Sequence, residues 1–186
     1  NFPIAFDHEG KGFWFVTDVN GDFRQLAWQS LEVGAKPVIV SGDIPWNVEG
    51  ATISDDRTRG VFSVNEDGYS QVYLFDTASR EIAPVKTIPT GLAYGFEFSP
   101  DGSNLGLTLN TSKTPSDSFV LDLGAGALDY GKLVRWTYSE VRGLDTDTFI
   151  EPELIHYPTF DSTRGGPESI PAWVYKPKEQ GPFQVI

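Results

Sequence analysis

An all-β fold, a partial β-propeller of about three four-stranded blades, is what this sequence predicts, and three observations carry that prediction. A turn-bearing segment recurs at a near-constant spacing. Each copy leads into further short apolar runs separated by polar turns. Aromatic residues and turn formers are abundant, with 13 Phe, 7 Tyr and 5 Trp beside 19 Gly and 13 Pro spread along 186 residues. That is the usage of a polypeptide that pairs many strands through many turns.

The recurring segment appears as Phe6 to Phe15, Ile53 to Phe62 and Phe98 to Leu107, so that Glu9, Asp56 and Asp101 stand 47 and 45 residues apart. The third copy shows the mechanism. Phe96 and Phe98 alternate with Glu97 as a strand does, and Pro100-Asp101-Gly102 supplies a turn, Pro presetting φ and Gly free to take a positive one. The returning arm is Leu105 to Leu109, matched by Phe13 to Val16 and Val61 to Val64. Polar turns then lead to a third strand in each unit, at Gln25 to Trp28, Gln71 to Asp76 and Phe119 to Asp122. A fourth apolar run closes each unit, at Pro37 to Val40, Ile82 to Val85 and Leu133 to Trp136. Four strands in about 45 residues is the arithmetic of a propeller blade. A β-sandwich also has short alternating strands, but it has no geometric reason to repeat one turn at the same strand of every unit.

After Glu140 the repeat stops, which places a boundary between a partial propeller over 1–142 and a separate segment over 143–186. In the second segment Glu153 to Tyr157 reads as a strand, Asp161 to Pro167 as a loop and Ile170 to Pro177 as another strand with Pro at its ends. Lys178 to Pro182 forms a last loop before an apolar run from Phe183 to Ile186.

The order Glu153-Leu154-Ile155, then Ile170-Pro171-Ala172-Trp173-Val174-Tyr175-Lys176-Pro177, then Gly181-Pro182-Phe183 resembles the propeller-to-hydrolase junction of the prolyl oligopeptidase family of serine peptidases. The acylaminoacyl-peptidase and dipeptidyl-aminopeptidase branches are the nearest in flavour. The Ser99-Pro100-Asp101-Gly102 turn resembles the same family's blades, so the likeness runs over nearly the whole sequence. Gln184 departs from it, because the family tends to have Pro there. The resemblance implies that 143–186 holds the linker and first strands of an α/β-hydrolase domain, and that nucleophile, acid and base all lie beyond Ile186.

The residues themselves agree with that last point, because no Gly-x-Ser-x-Gly elbow occurs among them. No catalytic, cofactor-binding or metal-ligating residue is assigned, and no cofactor is implied. His8 is read as a solvated turn residue and His156 as packed or hydrogen-bonded within a strand, since neither has a Ser or a carboxylate at relay spacing. Asp55 and Asp56 are read as a solvated turn, because neighbours on a strand point to opposite faces, and Glu151 with Glu153 are likewise not assigned as a functional carboxylate pair. The Asp18 to Asp22 stretch has Gln29 where a calcium loop needs Glu, and reads as a hairpin turn. Asn110-Thr111-Ser112 is a sequon, relevant only in a secreted protein. Trp14, Trp28, Trp46, Trp136 and Trp173 lie in or beside predicted strands, where packing between blades is the expectation.

Fourteen basic against 26 acidic residues give a net charge of −12, which disfavours nucleic acid and anionic membranes as partners. The sequence has no Cys and no apolar stretch long enough to span a bilayer. The compartment stays open, with the cytosol fitting slightly better. Three blades do not suffice to close a ring, so the expectation is that missing blades of a longer polypeptide, a hydrolase domain or a second copy covers the exposed edges. By resemblance the protein is then a fragment of a serine peptidase whose propeller gates the access of short peptides, inactive on its own. The alternative is a non-enzymatic propeller that serves as a binding or scaffold module.

Overall fold

The computed structural model describes residues 1–163, 166–179 and 181–182. Three four-stranded antiparallel meanders follow one another. The first contains β1 (Phe2–Phe6), β2 (Gly12–Thr17), β3 (Gln25–Ser30) and β4 (Val38–Ile39). The second contains β5 (Val48–Ile53), β6 (Arg59–Glu66), β7 (Tyr69–Asp76) and β8 (Ile82–Pro84). The third contains β9 (Leu92–Phe98), β10 (Asn104–Asn110), β11 (Asp117–Leu123) and β12 (Tyr130–Arg135). In every sheet the spatial order is the sequence order, as short turns between antiparallel neighbours require. A 3-10 turn, Thr146–Thr148, capped by the Asp145 side chain, precedes a hairpin of β13 (Glu153–Thr163) and β14 (Gly166–Val174).

Burial shows how the sheets are arranged. Along β10, Leu105, Leu107 and Leu109 are buried while Asn104, Gly106 and Thr108 between them are only partly so, the period of two expected of a strand. In β6 the period disappears, and every residue from Arg59 to Val64 is buried. The reason is that the second sheet is covered on both faces. Phe62, Val64 and Phe75 pack with Trp14, Val16 and Leu26 of the first sheet, whereas Val61, Val72 and Leu74 pack with Leu105, Leu107 and Leu121 of the third. Each sheet thus shares a core only with its sequence neighbour, and the first strands β1, β5 and β9 run side by side. This is an unclosed array of propeller blades, not two facing layers.

The turns between the first two strands of each blade are built alike. In the third blade Ser99 Oγ donates to Asp101 Oδ1 at 2.6 Å, and the Ser103 N–H donates to the same oxygen at 3.0 Å. In the second, Ser54 Oγ and the Thr58 N–H do the same to Asp56 Oδ1 at 2.6 and 3.1 Å. In the first, Asp7 takes the place of the serine and accepts from the Lys11 N–H at 2.9 Å. Gly10 and Gly102 occupy the left-handed position with φ of +68°, and Arg57 occupies it in the second blade with φ of +57°. A non-glycine residue there costs of order 1 kcal/mol, which the surrounding turn bonds hold in place.

Two expectations need correction. Asp161 to Thr163 and Gly166 to Pro167 lie in strands and not in a loop: pairing of β13 with β14 continues past an irregularity to Ser162↔Pro167 and Thr163↔Gly166. Pro is tolerated because each strand of an isolated pair has an unpaired edge. The Asp18 to Asp22 segment is a hairpin turn as read, part of the Asp18 to Arg24 connection between the antiparallel β2 and β3 and closed by a 3.3 Å bond from the Gly21 N–H to the Asp18 carbonyl. Trp136 does not pack between blades; it follows β12 on the outer blade and is 70% exposed. The Phe183 to Ile186 run, with Gln184, lies outside the described residues, as do Arg164 and Gly165.

Candidate functional site

The meander fixes which loops share a face. Connections from second to third strand, and from each blade to the next, emerge at one end of the sheets, and the hairpin β13–β14 is docked there. Its contact is the turn between β6 and β7. Asp67 and Gly68, with φ of +48° and +92°, form a two-residue connection in which both positions are left-handed. The Gly68 N–H donates to Asn65 Oδ1 at 3.0 Å.

On this turn the hairpin sets two side chains. The Trp173 indole N–H donates to the Asp67 carbonyl at 2.8 Å, and its ring meets Tyr69 edge-on with centroids 6.2 Å apart. His156 Nε2 lies 2.9 Å from Asp67 Oδ2. Burial, then the neighbouring Glu66, pushes the Tyr69 phenol up. Beside these contacts opens a cleft of about 730 Å³. Its walls are the blade connection Pro89 to Leu92, the β10–β11 loop from Asn110 to Thr114, and Glu151, Trp173 and Tyr175 of the hairpin segment. Lys113 bridges the cleft's rim to Glu151 at 2.8 Å, and that hydrogen-bonded lysine holds the Glu151 carboxyl below its usual range.

A second tie anchors the backbone as it leaves the third blade. Asp117, fully buried, accepts from Arg135 Nη2 at 2.5 Å, Thr137 Oγ1 at 2.8 Å and the Ser139 N–H at 2.9 Å. Burial alone would raise its pKa, but the bonds from Thr137, Arg135 and Ser139 together hold it below the usual carboxylate range.

The residues weighed from sequence fall as follows. His8 sits in an exposed turn, where its Nδ1–H donates to the Asp56 carbonyl at 2.9 Å and links two blades. His156 is paired with a carboxylate, but among the described residues no serine hydroxyl bonds it, so the pair has no nucleophile to activate. Glu151 and Glu153 bind separate lysines, Lys113 at 2.8 Å and Lys176 at 2.5 Å, and do not converge. Asp55 is an exposed turn residue, and Asp56 spends its oxygens inside the turn. Asn110 ends β10, exposed, with Nδ2 bonded to Ser116 Oγ at 3.1 Å. Among the described residues no group of three or more His, Asp or Glu could hold a metal ion. Trp14 is wholly buried between the first two blades, Trp28 and Trp46 pack partly against the same core, and Trp173 serves the hairpin. Sequence reasoning missed Asp67 and Asp117. The Asp-Gly pair in a two-residue turn marks the first; nothing local marks the second.

Blades joined in series, with a two-stranded hairpin docked on their connection-bearing face, define a propeller sector. No family model matches the sequence, and no curated protein matches it significantly. Solved structures do. Apo prolyl oligopeptidase B from Galerina marginata superposes with a TM-score of 0.69 at 16% identity, covering 91% of this protein and 23% of that one. The same enzyme bound to a 35mer hydrolysis and macrocyclization substrate gives 0.66 at 17% identity, over 91% and 22%. A prolyl endopeptidase gives 0.64 at 22% identity, over 91% and 23%. The protein therefore has the fold of a prolyl oligopeptidase propeller sector, and the part matched is less than a quarter of the length of these enzymes.

Proposed function

We propose that this protein is the propeller sector and junction hairpin of a serine peptidase of the prolyl oligopeptidase type, in which the blades limit access of short peptides to a hydrolase site beyond these 186 residues. The observation that carries the reading is the fold shared over 91% of its length with such peptidases. The sequence order around Ile170 to Pro177 supports it independently, because that order resembles the family's junction. In this reading β13–β14 belongs to the hydrolase unit, and 143–186 is its linker and first strands. The cleft beside Trp173 then lies between the access filter and the catalytic unit.

The 186-residue protein is expected to leave prolyl, dipeptidyl and acylaminoacyl chromogenic substrates uncleaved, because it has no serine elbow. The native polypeptide that contains it is expected to label with a fluorophosphonate on one serine and to cleave one of these substrate types; which one assigns the branch. A native polypeptide that neither labels nor cleaves contradicts the peptidase reading and leaves a scaffold propeller. Turnover by the isolated 186 residues contradicts the placement of the catalytic groups.

A further inference from the structure

At the end of the sheets opposite the hairpin, a cleft of about 910 Å³ opens between the first and second blades. Arg80 lines it. This residue follows β7 in a turn whose Ala78 and Ser79 N–H groups both donate to Asp76 Oδ1, and its own backbone is held at a φ of +66°. The turn directs its guanidinium across the blade boundary onto Trp28, with Cζ 4.1 Å from the ring centroid.

What the guanidinium lacks is an acceptor. Its Nε is buried without a hydrogen-bond partner, and among the described residues no carboxylate pairs with it. With 26 acidic residues against 14 basic ones in the protein, such an arginine is not short of candidates. Two of the three acids that line the cleft are engaged elsewhere. Asp7 accepts from the Trp28 indole N–H at 3.0 Å through one oxygen and from the Lys11 N–H at 2.9 Å through the other, and Glu9 pairs with Lys11 at 2.7 Å.

We propose that the Arg80–Trp28 cleft binds one carboxylate group borne on an apolar or aromatic body. A guanidinium stacked by its face on an indole presents its edge as a fork, and that edge matches the two oxygens of a carboxylate. The indole fixes the plane of the fork in advance. The exposed side chain of Leu31 and the adjoining Ala78 offer apolar surface to the rest of the ligand. A phosphate fits less well: one arginine meets its charge, and Asp7, Glu9 and Glu32 line the same cleft. The carboxylate can come from a free acid or the C-terminus of a peptide, or from an acidic side group of a partner.

The test follows the Arg80 Nε–Hε NMR signal of arginine-labelled protein, assigned by its loss in Arg80→Gln. N-acetylphenylalanine is expected to shift it saturably, with its amide and inorganic phosphate at least about tenfold weaker. An end-blocked peptide with one internal Glu is the second arm: tighter binding than N-acetylphenylalanine assigns a partner's acidic residue, weaker binding a free acid or C-terminus. Leu31→Glu, which leaves Arg80 and the fold in place, is expected to weaken binding about tenfold by like-charge repulsion. The proposal is overturned by equal affinity for acid and amide, by unchanged binding in Leu31→Glu, or by no saturable shift with either carboxylate probe.

Discussion

Asp67 and His156 stand 89 positions apart in the sequence and 2.9 Å apart in space, the first in a blade turn and the second on the hairpin that docks against it. The same aspartate accepts the Trp173 indole N–H through its carbonyl, so one residue receives the hairpin twice.

These two contacts differ in strength. The His156 side chain is 46% exposed, and a polar contact so open to water is worth at most about 1 kcal/mol. Trp173 adds ring contact with Tyr69 to its bond. Trp173→Ala is therefore expected to speed amide exchange along 153–158 and 169–174 far more than His156→Ala does. Hydrogen–deuterium exchange on both variants checks this; equal effects would contradict the ranking, and a larger effect of His156→Ala would show that the imidazole, not the indole, seats the hairpin.

The Ser-x-Asp turns make a prediction in pH. Bonds from Ser99, then Ser103, hold Asp101 down to about 2. Its folded pKa is thus below the unfolded value of about 3.9. The ionised carboxylate supports the turn at every pH above the unfolded value, and that support is lost as pH falls through about 2. Carboxyl-detected NMR titration is expected to find an Asp101 midpoint near 2, and Ser99→Ala is expected to raise it. An Asp101 midpoint near about 3.9 in the unaltered protein would mean the turn bonds do not form in solution.

How much of this is legible in the sequence depends on how far apart the interacting groups lie. The turns at Asp56 and Asp101 are readable because serine, aspartate and the next N–H sit within five positions. Strands β6 and β10 are readable because their apolar residues are contiguous or alternate. The segment Asp161 to Pro167 reads as a loop because Gly-Gly-Pro is the local signature of a breaker, while what extends the strands is pairing across the hairpin. Trp14 and Trp136 both flank strand patterns, yet one is wholly buried and the other 70% exposed, since only the first has the neighbouring blade packed over it. The Asp67–His156 and Asp117 contacts join segments whose proximity is a product of the fold, and no spacing announces them.

Gly60 stands opposite Phe75 on the neighbouring strand, and the ring lies over it. A Cβ at Gly60 would fall 2.1 Å from Phe75 Cζ, so the ring must leave. Phe75 is wholly buried against Trp14, with centroids 4.8 Å apart, so moving its ring disturbs the core between the first two blades. Gly60→Ala is expected to destabilise the protein by about 1–3 kcal/mol through overpacking, despite the better strand propensity of Ala. Urea unfolding checks this; a neutral or stabilising result would mean that the space over Gly60 is not filled by the ring.

Asp117 tests whether the exit from the third blade is fixed by charge or by shape. Asp117→Asn keeps the volume but gives up the charge-assisted bond to Arg135: with the amide oxygen left to Thr137 and Ser139, its NH2 group meets the Arg135 guanidinium donor to donor. Charge-assisted bonds are worth about 1.5–3 kcal/mol each, and part is recovered because Arg135 can reach water. A loss of about 1–3 kcal/mol is therefore expected on unfolding, together with faster exchange of the Ser139 amide. The wild-type aspartate, its pKa depressed in the fold, contributes fully above the unfolded value and loses that contribution only as pH falls through the lower folded one. The gap in stability between wild type and Asp117→Asn is accordingly expected to be constant from about pH 5 to 8 and to narrow below about pH 4. A gap that stays the same on acidification would show that the packing of the segment, and not the carboxylate, orders residues 136–140.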